Sequence, residues 1–239
     1  MVIEAQGLSV AGGRLLNQDN MYINHTIGTE LCVKRLGFPY KEPLCFAVAD
    51  GVGGASSGDE AALLALKSLD KWHSELNLNN ADIPSVIKDA FDVFNEEIVN
   101  FADEIYADTG TTLTLLLLWK DNFYLANVGD SPAIWVRKKK LATISERQGE
   151  DNMLYSFLGN READGSQMVH ITKGQYKDGD TFFLCSDGIT NTLETKQLLG
   201  QLCKRKTSIE KIIDKTVKNG PQDNCTGILI QIHEQNGDI

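Results

Sequence analysis

Apolar positions recur along this chain with two different periods, and the change of period separates helices from strands. Over residues 57–76 the apolar residues Ala61, Ala62, Ala65, Leu69, Trp72 and Leu76 fall at helical spacing, behind serines able to cap the start. Over residues 83–101 the set Ile83, Val86, Ile87, Ala90, Phe91, Phe94, Ile98 and Phe101 makes a 3.6-residue stripe, with Pro84 in the first turn. Each helix has one broad apolar face, which needs a flat surface to cover. Short runs rich in β-formers supply that surface, and strands are predicted at 45–49, 112–118, 123–127, 133–137, 181–185 and 226–232. Lys120-Asp121-Asn122 and residues 137–140 read as hairpin turns, so the middle of the chain is an antiparallel meander. Two further helices are expected at 194–203 and 209–218, the second closing before Gly220-Pro221. Helix pairs flanking antiparallel strands in two separate stretches predict a layered α+β fold, sheets inside and helices outside.

Composition narrows the class. The 239 residues suit a single domain, 1–239, with 234–239 as a frayed polar end; no linker, low-complexity tract or repeat divides them. Hydrophobic residues at 42% and charged residues at 23% are those of a soluble globular protein. No apolar stretch approaches the roughly 20 residues of a membrane span, and no secretory signal is expected. Five cysteines without C-x-x-C spacing point to reduced thiols and a cytoplasmic location. A formal net charge of −10 argues against nucleic acid and anionic membranes as partners. Two basic clusters, Arg137-Lys138-Lys139-Lys140 and Lys204-Arg205-Lys206, stand against that background; solvated turn and helix-end charge is the favoured reading, a docking patch for an acidic, phosphorylated partner the sharper one.

Aspartates fall repeatedly at strand ends beside glycine. Residues 46–49 run into Asp50-Gly51-Val52-Gly53-Gly54, residues 125–128 into Gly129-Asp130-Ser131, and residues 183–186 into Asp187-Gly188. Asp223-Asn224 precedes the last strand, and Asn17-Gln18-Asp19 follows Arg14. A single Asp-Gly is ordinarily a turn. Several carboxylates meeting at one sheet edge would repel one another and raise each other's pKa values, unless a hard divalent cation relieves them. Glycine lets the backbone turn and bring carbonyls close to an ion. This pattern implies a metal site of undefined chemistry.

At these residues the chain resembles the metal-dependent protein phosphatase (PPM) family, the type 2C serine/threonine phosphatases. The elements occur in order: Arg14-Leu15-Leu16-Asn17-Gln18-Asp19, Asp50-Gly51-Val52-Gly53-Gly54, Thr109-Gly110-Thr111-Thr112, Asn127-Val128-Gly129-Asp130-Ser131, Cys185-Ser186-Asp187-Gly188-Ile189 and Asp223-Asn224-Cys225-Thr226, with Leu158-Gly159 a weaker match. The resemblance implies a four-layer αββα sandwich and hydrolysis of phosphoserine and phosphothreonine in proteins by metal-activated water, without a phosphoenzyme. It further implies that Asp50 bridges two Mn²⁺ or Mg²⁺ ions, that Asp187 and Asp223 complete one and the Gly51 carbonyl serves the other, and that Asp19 acts through bound water. Asp130, with Asp187, corresponds to the position of a weaker third ion, and Arg14 to the residue gripping the phosphoryl oxygens. A phosphorylated protein substrate and an opposing Ser/Thr kinase are the partners so implied.

Departures from the family pattern bear on the mechanism. Gln18 removes a charge where glutamate is more frequent, and Val52 stands where some members carry a histidine taken as general acid. Pro132 replaces the arginine that usually follows Gly-Asp-Ser. His25, His73, His170 and His233 lie outside all the motifs and are expected to be non-catalytic. The flap is short: only residues 145–153 are available, with Glu146, Glu150 and Asp151, which should leave the site more open. Two other readings stay open, a catalytically silent regulatory module of the same fold and a phosphoesterase for small molecules.

Overall fold

The computed structural model describes residues 1–37, 42–52, 57–150, 153–204 and 207–234. Gly53 and Gly54, Asp151 of the flap, Arg205 and Lys206 of the second basic cluster, and residues 235–239 of the polar end lie outside the described residues. Five strands open the chain: β1 (Val2–Val10), β2 (Asp19–Ile23), β3 (Ile27–Gly28), β4 (Cys32–Gly37) and β5 (Leu44–Val52). Helices α1 (Gly58–Glu75) and α2 (Ile83–Glu104) follow, then β6 (Gly110–Thr111), β7 (Leu113–Trp119), β8 (Asn122–Val128), β9 (Ala133–Arg137) and β10 (Lys140–Thr143). A small hairpin, β11 (Gly149–Glu150) and β12 (Met153–Leu154), and the single turn α3 (Gly165–Met168) lead into β13 (His170–Gln175) and β14 (Thr181–Cys185). Helices α4 (Asp187–Thr192), α5 (Thr195–Leu202) and α6 (Ile209–Lys218) precede β15 (Cys225–His233).

The strands form two antiparallel sheets, β10-β9-β14-β15-β1-β4 and β13-β8-β7-β5-β2-β3, with β6 paired to β5 off the second. Their sequences explain the layering. In β7, Leu116 and Leu118 point between the sheets, while Leu113, Leu115 and Leu117 point to the helices α1 and α2. In β15, Ile228, Ile230 and Ile232 face between the sheets and Leu229 faces α4–α6. Strands with both faces covered read as continuous apolar runs, which is why these were visible in the sequence. Three apolar cores fill the three spaces of an αββα sandwich, as expected.

The long helices, both sequence-predicted hairpins and the six predicted strands are present, with shifts of a few residues at the ends. Strands β1, β4 and β13 were not predicted because polar residues break up any apolar run in them: Glu4 and Gln6 in β1, the adjacent Lys34 and Arg35 in β4, and the adjacent Thr172 and Lys173 in β13. The expected serine cap of α1 is corrected: Ser57 is the N-cap residue but adopts a left-handed backbone (φ 71°), and its side chain makes no capping bond. Asp59 and Glu60 meet the positive end of that helix instead. Among the described residues, no helix is long and apolar enough to cross a membrane.

Candidate active site

Strand register brings the first two acidic residues together. β2 pairs with β5 so that Asp19 lies directly opposite Asp50. Asp50 does not follow its strand, as the sequence suggested, but sits within it: β5 continues to Val52 by pairing with β6. The Thr-Gly-Thr-Thr segment clamps this point. The Thr112 N–H and the Thr111 hydroxyl both donate to the Asp50 carbonyl (2.9 and 3.0 Å), and the Asp50 N–H donates to Thr112 Oγ1 (3.1 Å). A Cβ on Gly51 would lie 2.2 Å from the Gly58 carbonyl oxygen, so only glycine fits where β5 passes the start of α1.

Asp19 is buried at the floor. Its Oδ2 accepts bonds from Ser186 Oγ and Thr226 Oγ1, each 2.7 Å. Behind Thr226 stand Ser9 (2.5 Å) and Asn17, whose amide donates to Ser9 (2.8 Å); behind Ser186 stands the Thr226 N–H (3.0 Å). Two chains of aligned donors thus end on one carboxylate oxygen. The other, Oδ1, is buried and has no hydrogen-bond partner among the described residues.

Asp187 is the first residue of α4, and Asn191, one turn on, donates to its Oδ2 (2.9 Å). A Cβ on Gly188 would lie 2.0 Å from the Asn224 carbonyl oxygen, so glycine lets α4 start against the loop carrying Asp223. Asn224 ties that loop to the Arg14 loop: its amide donates to the carbonyls of Ala11 and Leu16, and its Oδ1 accepts from the Gln18 N–H. Arg14 forms a bidentate pair with Asp223 (3.0 and 2.7 Å). Asp130 lies just past β8. Arg14, Asp50, Gly51, Val52, Asp130, Asp187 and Asp223 all line one open cavity of about 600 Å³.

The carboxyls of this cluster are hard to ionise together. Burial, then repulsion from Asp19, Asp187, Asp223 and Asp130, pushes the Asp50 carboxyl well above the usual range. Burial raises Asp19 to about 6, and burial with Asp130 and Asp223 raises Asp187 to about 6. Burial also raises Asp130, against the opposing charge of Arg147. Among the described residues no three acidic, His or Cys side chains are placed so that they alone could hold a metal ion. Arg14 answers Asp223. An open, all-oxygen donor set with an orphaned buried carboxylate oxygen fits hydrated Mg²⁺ or Mn²⁺, which keep several waters.

Ser9, Asn191 and Arg147 were not singled out from the sequence. Only Asn191 left a local trace, its i+4 spacing from Asp187 within a helix. None of the four histidines lines the cavity. His25 and His73 stack beside Tyr22 and Asp70, and His170 pairs with Glu146 (2.6 Å). All five cysteines are free thiols.

Known proteins are similar to this chain in sequence and fold. The family model "Protein phosphatase 2C" matches residues 37–220. A serine/threonine phosphatase stp of Listeria monocytogenes is 29% identical over 211 residues, covering 77% of this chain and 82% of its own length. The serine/threonine protein phosphatase PstP of Mycobacterium tuberculosis is 23% identical over 210 residues, 78% of this chain and 40% of its own. Among solved structures, the S. agalactiae serine/threonine phosphatase superposes with a TM-score of 0.81 at 20% identity, covering 97% of this chain and all of that one. The PstP catalytic domain in complex with two manganese ions gives 0.78 at 20% identity, over 98% and 100%. Arg14, Asp19 and Asp223 fall outside the matched span; Ser186 and the pairing with Asp50 tie Asp19 to it. The chain belongs to the protein phosphatase 2C family.

Proposed function

We propose that this chain is a metal-dependent protein serine/threonine phosphatase, a single catalytic domain that opposes a Ser/Thr kinase in the cytoplasm. The observation that supports this reading is that Asp50, Asp130, Asp187 and Asp223 line one cavity, with Asp19 buried opposite Asp50 and one of its oxygens left unpartnered. Asp50, Asp187, Asp223 and the Gly51 carbonyl would hold two ions, Mn²⁺ or Mg²⁺, with Asp19 acting through water. Asp130 with Asp187 would hold a weaker third. When bound, such ions lower the pKa of water and neutralise phosphoryl oxygens.

The chain's own residues do the rest. Thr111 and Thr112 fix the Asp50 backbone, so its carboxylate faces the cavity without reorganising. Asp19, fed by two donor chains, keeps its second oxygen for a water proton. Arg14 must exchange the Asp223 carboxylate for phosphoryl oxygens, which present the same fork geometry to a guanidinium. With Val52 at the cavity wall, no side-chain acid stands there in the place of a histidine. Phosphothreonine peptide hydrolysis that requires Mn²⁺ or Mg²⁺ and stops in EDTA is the expected result; full turnover in chelator excludes the reading. A nucleotide substrate assayed alongside separates it from a small-molecule phosphoesterase, and calorimetric Mn²⁺ titration from a silent module.

A further inference from the structure

A second cavity, about 230 Å³, opens beside the first and shares Asp130 and Asp187 with it. Its wall is mixed: Pro132, the buried core residues Ile134, Leu193 and Leu198, and half-buried Leu141 give an apolar part, and Arg147 stands among the polar residues that complete it. Leu141, Thr143 and Ser145, at i, i+2 and i+4, present one face of β10 and its continuation to it. β10 is the terminal strand of its sheet. At one end it joins the turn Lys138-Lys139. At the other, residues 146 and 148 are pinned beside Asp130: Asn127 exchanges two bonds with the Glu146 backbone (2.7 and 3.0 Å), and Gly129 exchanges two with Gln148 (3.1 and 2.9 Å).

The turn itself is unusual. Lys140 pairs with Arg137, leaving Lys138 and Lys139 as the central pair, both left-handed (φ 51° and 61°). Asn-Gly is the favoured pair in such a turn, and lysine there is strained. Arg137 is committed to Asp180, whereas Lys138, Lys139 and Lys140 are exposed and form no ion pair with a described residue. Lysines at an open edge also deter pairing between copies, but that role gives no reason for a cavity with an apolar part on the same strand beside the acidic site.

We infer that β10 is a substrate track: the phosphorylated polypeptide runs from the Asp50 site along β10, seating an apolar side chain in the 230 Å³ cavity and acidic residues on Lys138–Lys140. The occupant is a phosphoprotein segment with an apolar residue near the phosphorylated one and carboxylates, or a second phosphate, farther along. Charge complementarity on an otherwise acidic chain and continuity with the candidate site commit the surface to that partner. The inference rests on the phosphatase reading and deepens it.

The test compares phosphothreonine peptides carrying Leu or Ala near the phosphorylated residue and Glu, phosphoserine or Ser farther along, on either flank. p-Nitrophenyl phosphate reports the chemistry alone. The expected wild-type preference in kcat/KM is about 10-fold for Leu over Ala and about 10-fold for an anionic over a neutral tail, the latter shrinking as salt rises. Lys138→Asn/Lys139→Gly keeps the turn with its favoured residues and should erase the tail preference through KM. Thr143→Trp fills the cavity mouth and should erase the Leu preference. Glu and phosphoserine arms identify which anion is read. If p-nitrophenyl phosphate and peptides alike are untouched with Mn²⁺ present, the phosphatase reading fails and takes the track with it. If turnover is brisk but indifferent to tail and flank, or both variants keep the wild-type preferences, the track alone is overturned.

Discussion

An aspartate stands near each end of β14, buried at one and half-buried at the other, and the two are treated in opposite ways. At the leading end, Asp180 is 1% exposed and fully answered: Arg137 donates to both oxygens (2.7 and 2.6 Å), and the Lys177 N–H adds a third bond (2.8 Å). Arg137 in turn lies over the Trp135 ring, 4.3 Å from its centroid. Past the trailing end, Asp187 lines one cavity with Asp50, Asp130 and Asp223, and behind Asp50 the Oδ1 atom of buried Asp19 goes unmatched. The fold supplies its own cation at one end and leaves the charge to be balanced from outside at the other. Buried charge is costly unless paired, so the unpaired end is where the molecule gives up stability for chemistry.

The widest separation between the two ends should appear on substitution. Asp187→Asn is expected to cut phosphothreonine peptide turnover about a thousandfold while raising the melting temperature in EDTA, because it removes one of several mutually repelling charges. Asp180→Asn should do the reverse. Leaving Arg137 short of its partner should cost about 3 kcal/mol in urea unfolding, with turnover per folded molecule kept. A melting temperature lowered by Asp187→Asn in chelator would mean that the cavity carboxylates are held as Asp180 is, and the contrast would collapse.

Acidity sharpens the same contrast. Asp19 and Asp187 titrate near 6 in the folded chain against 3.8 unfolded. A raised carboxyl stabilises most where it is protonated, so this contribution is full below about pH 4 and is lost as pH rises through about 6. His73 works the other way: burial lowers it from 6.5, so its contribution is lost as pH falls below that value. Urea midpoints in EDTA at pH 4.5 and 7 should differ less between the two pH values in Asp187→Asn than in wild type. With excess Mn²⁺ the sign turns over, since ligand carboxylates must lose their protons, and the bound ions should add about 2.7 kcal/mol at a hundredfold excess over Kd. A stability profile indifferent to Mn²⁺ at pH 7 would remove the cation site.

What the sequence disclosed follows the same line. β5, β7 and β15 are buried on both faces and write themselves as unbroken apolar runs. The acidic residues stand beside glycines, because only glycine tolerates the approaches at Gly51 and Gly188. Sequence gave no warning that Asp19 and Asp50 are cross-strand partners, since that is a register between strands 31 residues apart in the chain. Nor did it reveal that Arg14 would spend its fork on Asp223, 209 residues away. β4 and β13 were hidden because adjacent polar residues break their apolar runs, and Ser9 by its distance from the carboxylate it serves through Thr226.

The smallest expected effect tests how the unmatched carboxylate is held. Asn17 donates to Ser9, so the Ser9 hydroxyl turns to Thr226 and the Thr226 hydroxyl to Asp19. Thr226→Val keeps the shape and the buried methyl but cuts this chain, leaving Ser186 as the single hydroxyl donor to Oδ2. In the metal-free protein the loss should be about 1 kcal/mol. Most of it should vanish when Asp19→Asn is already present, because an amide oxygen asks less of its donors than a carboxylate. A double-mutant cycle in urea therefore ought to return a coupling near 1 kcal/mol. A coupling of zero would make Thr226 a space-filler, and the orientation of Asp19 would then rest on Ser186 and the strand register alone.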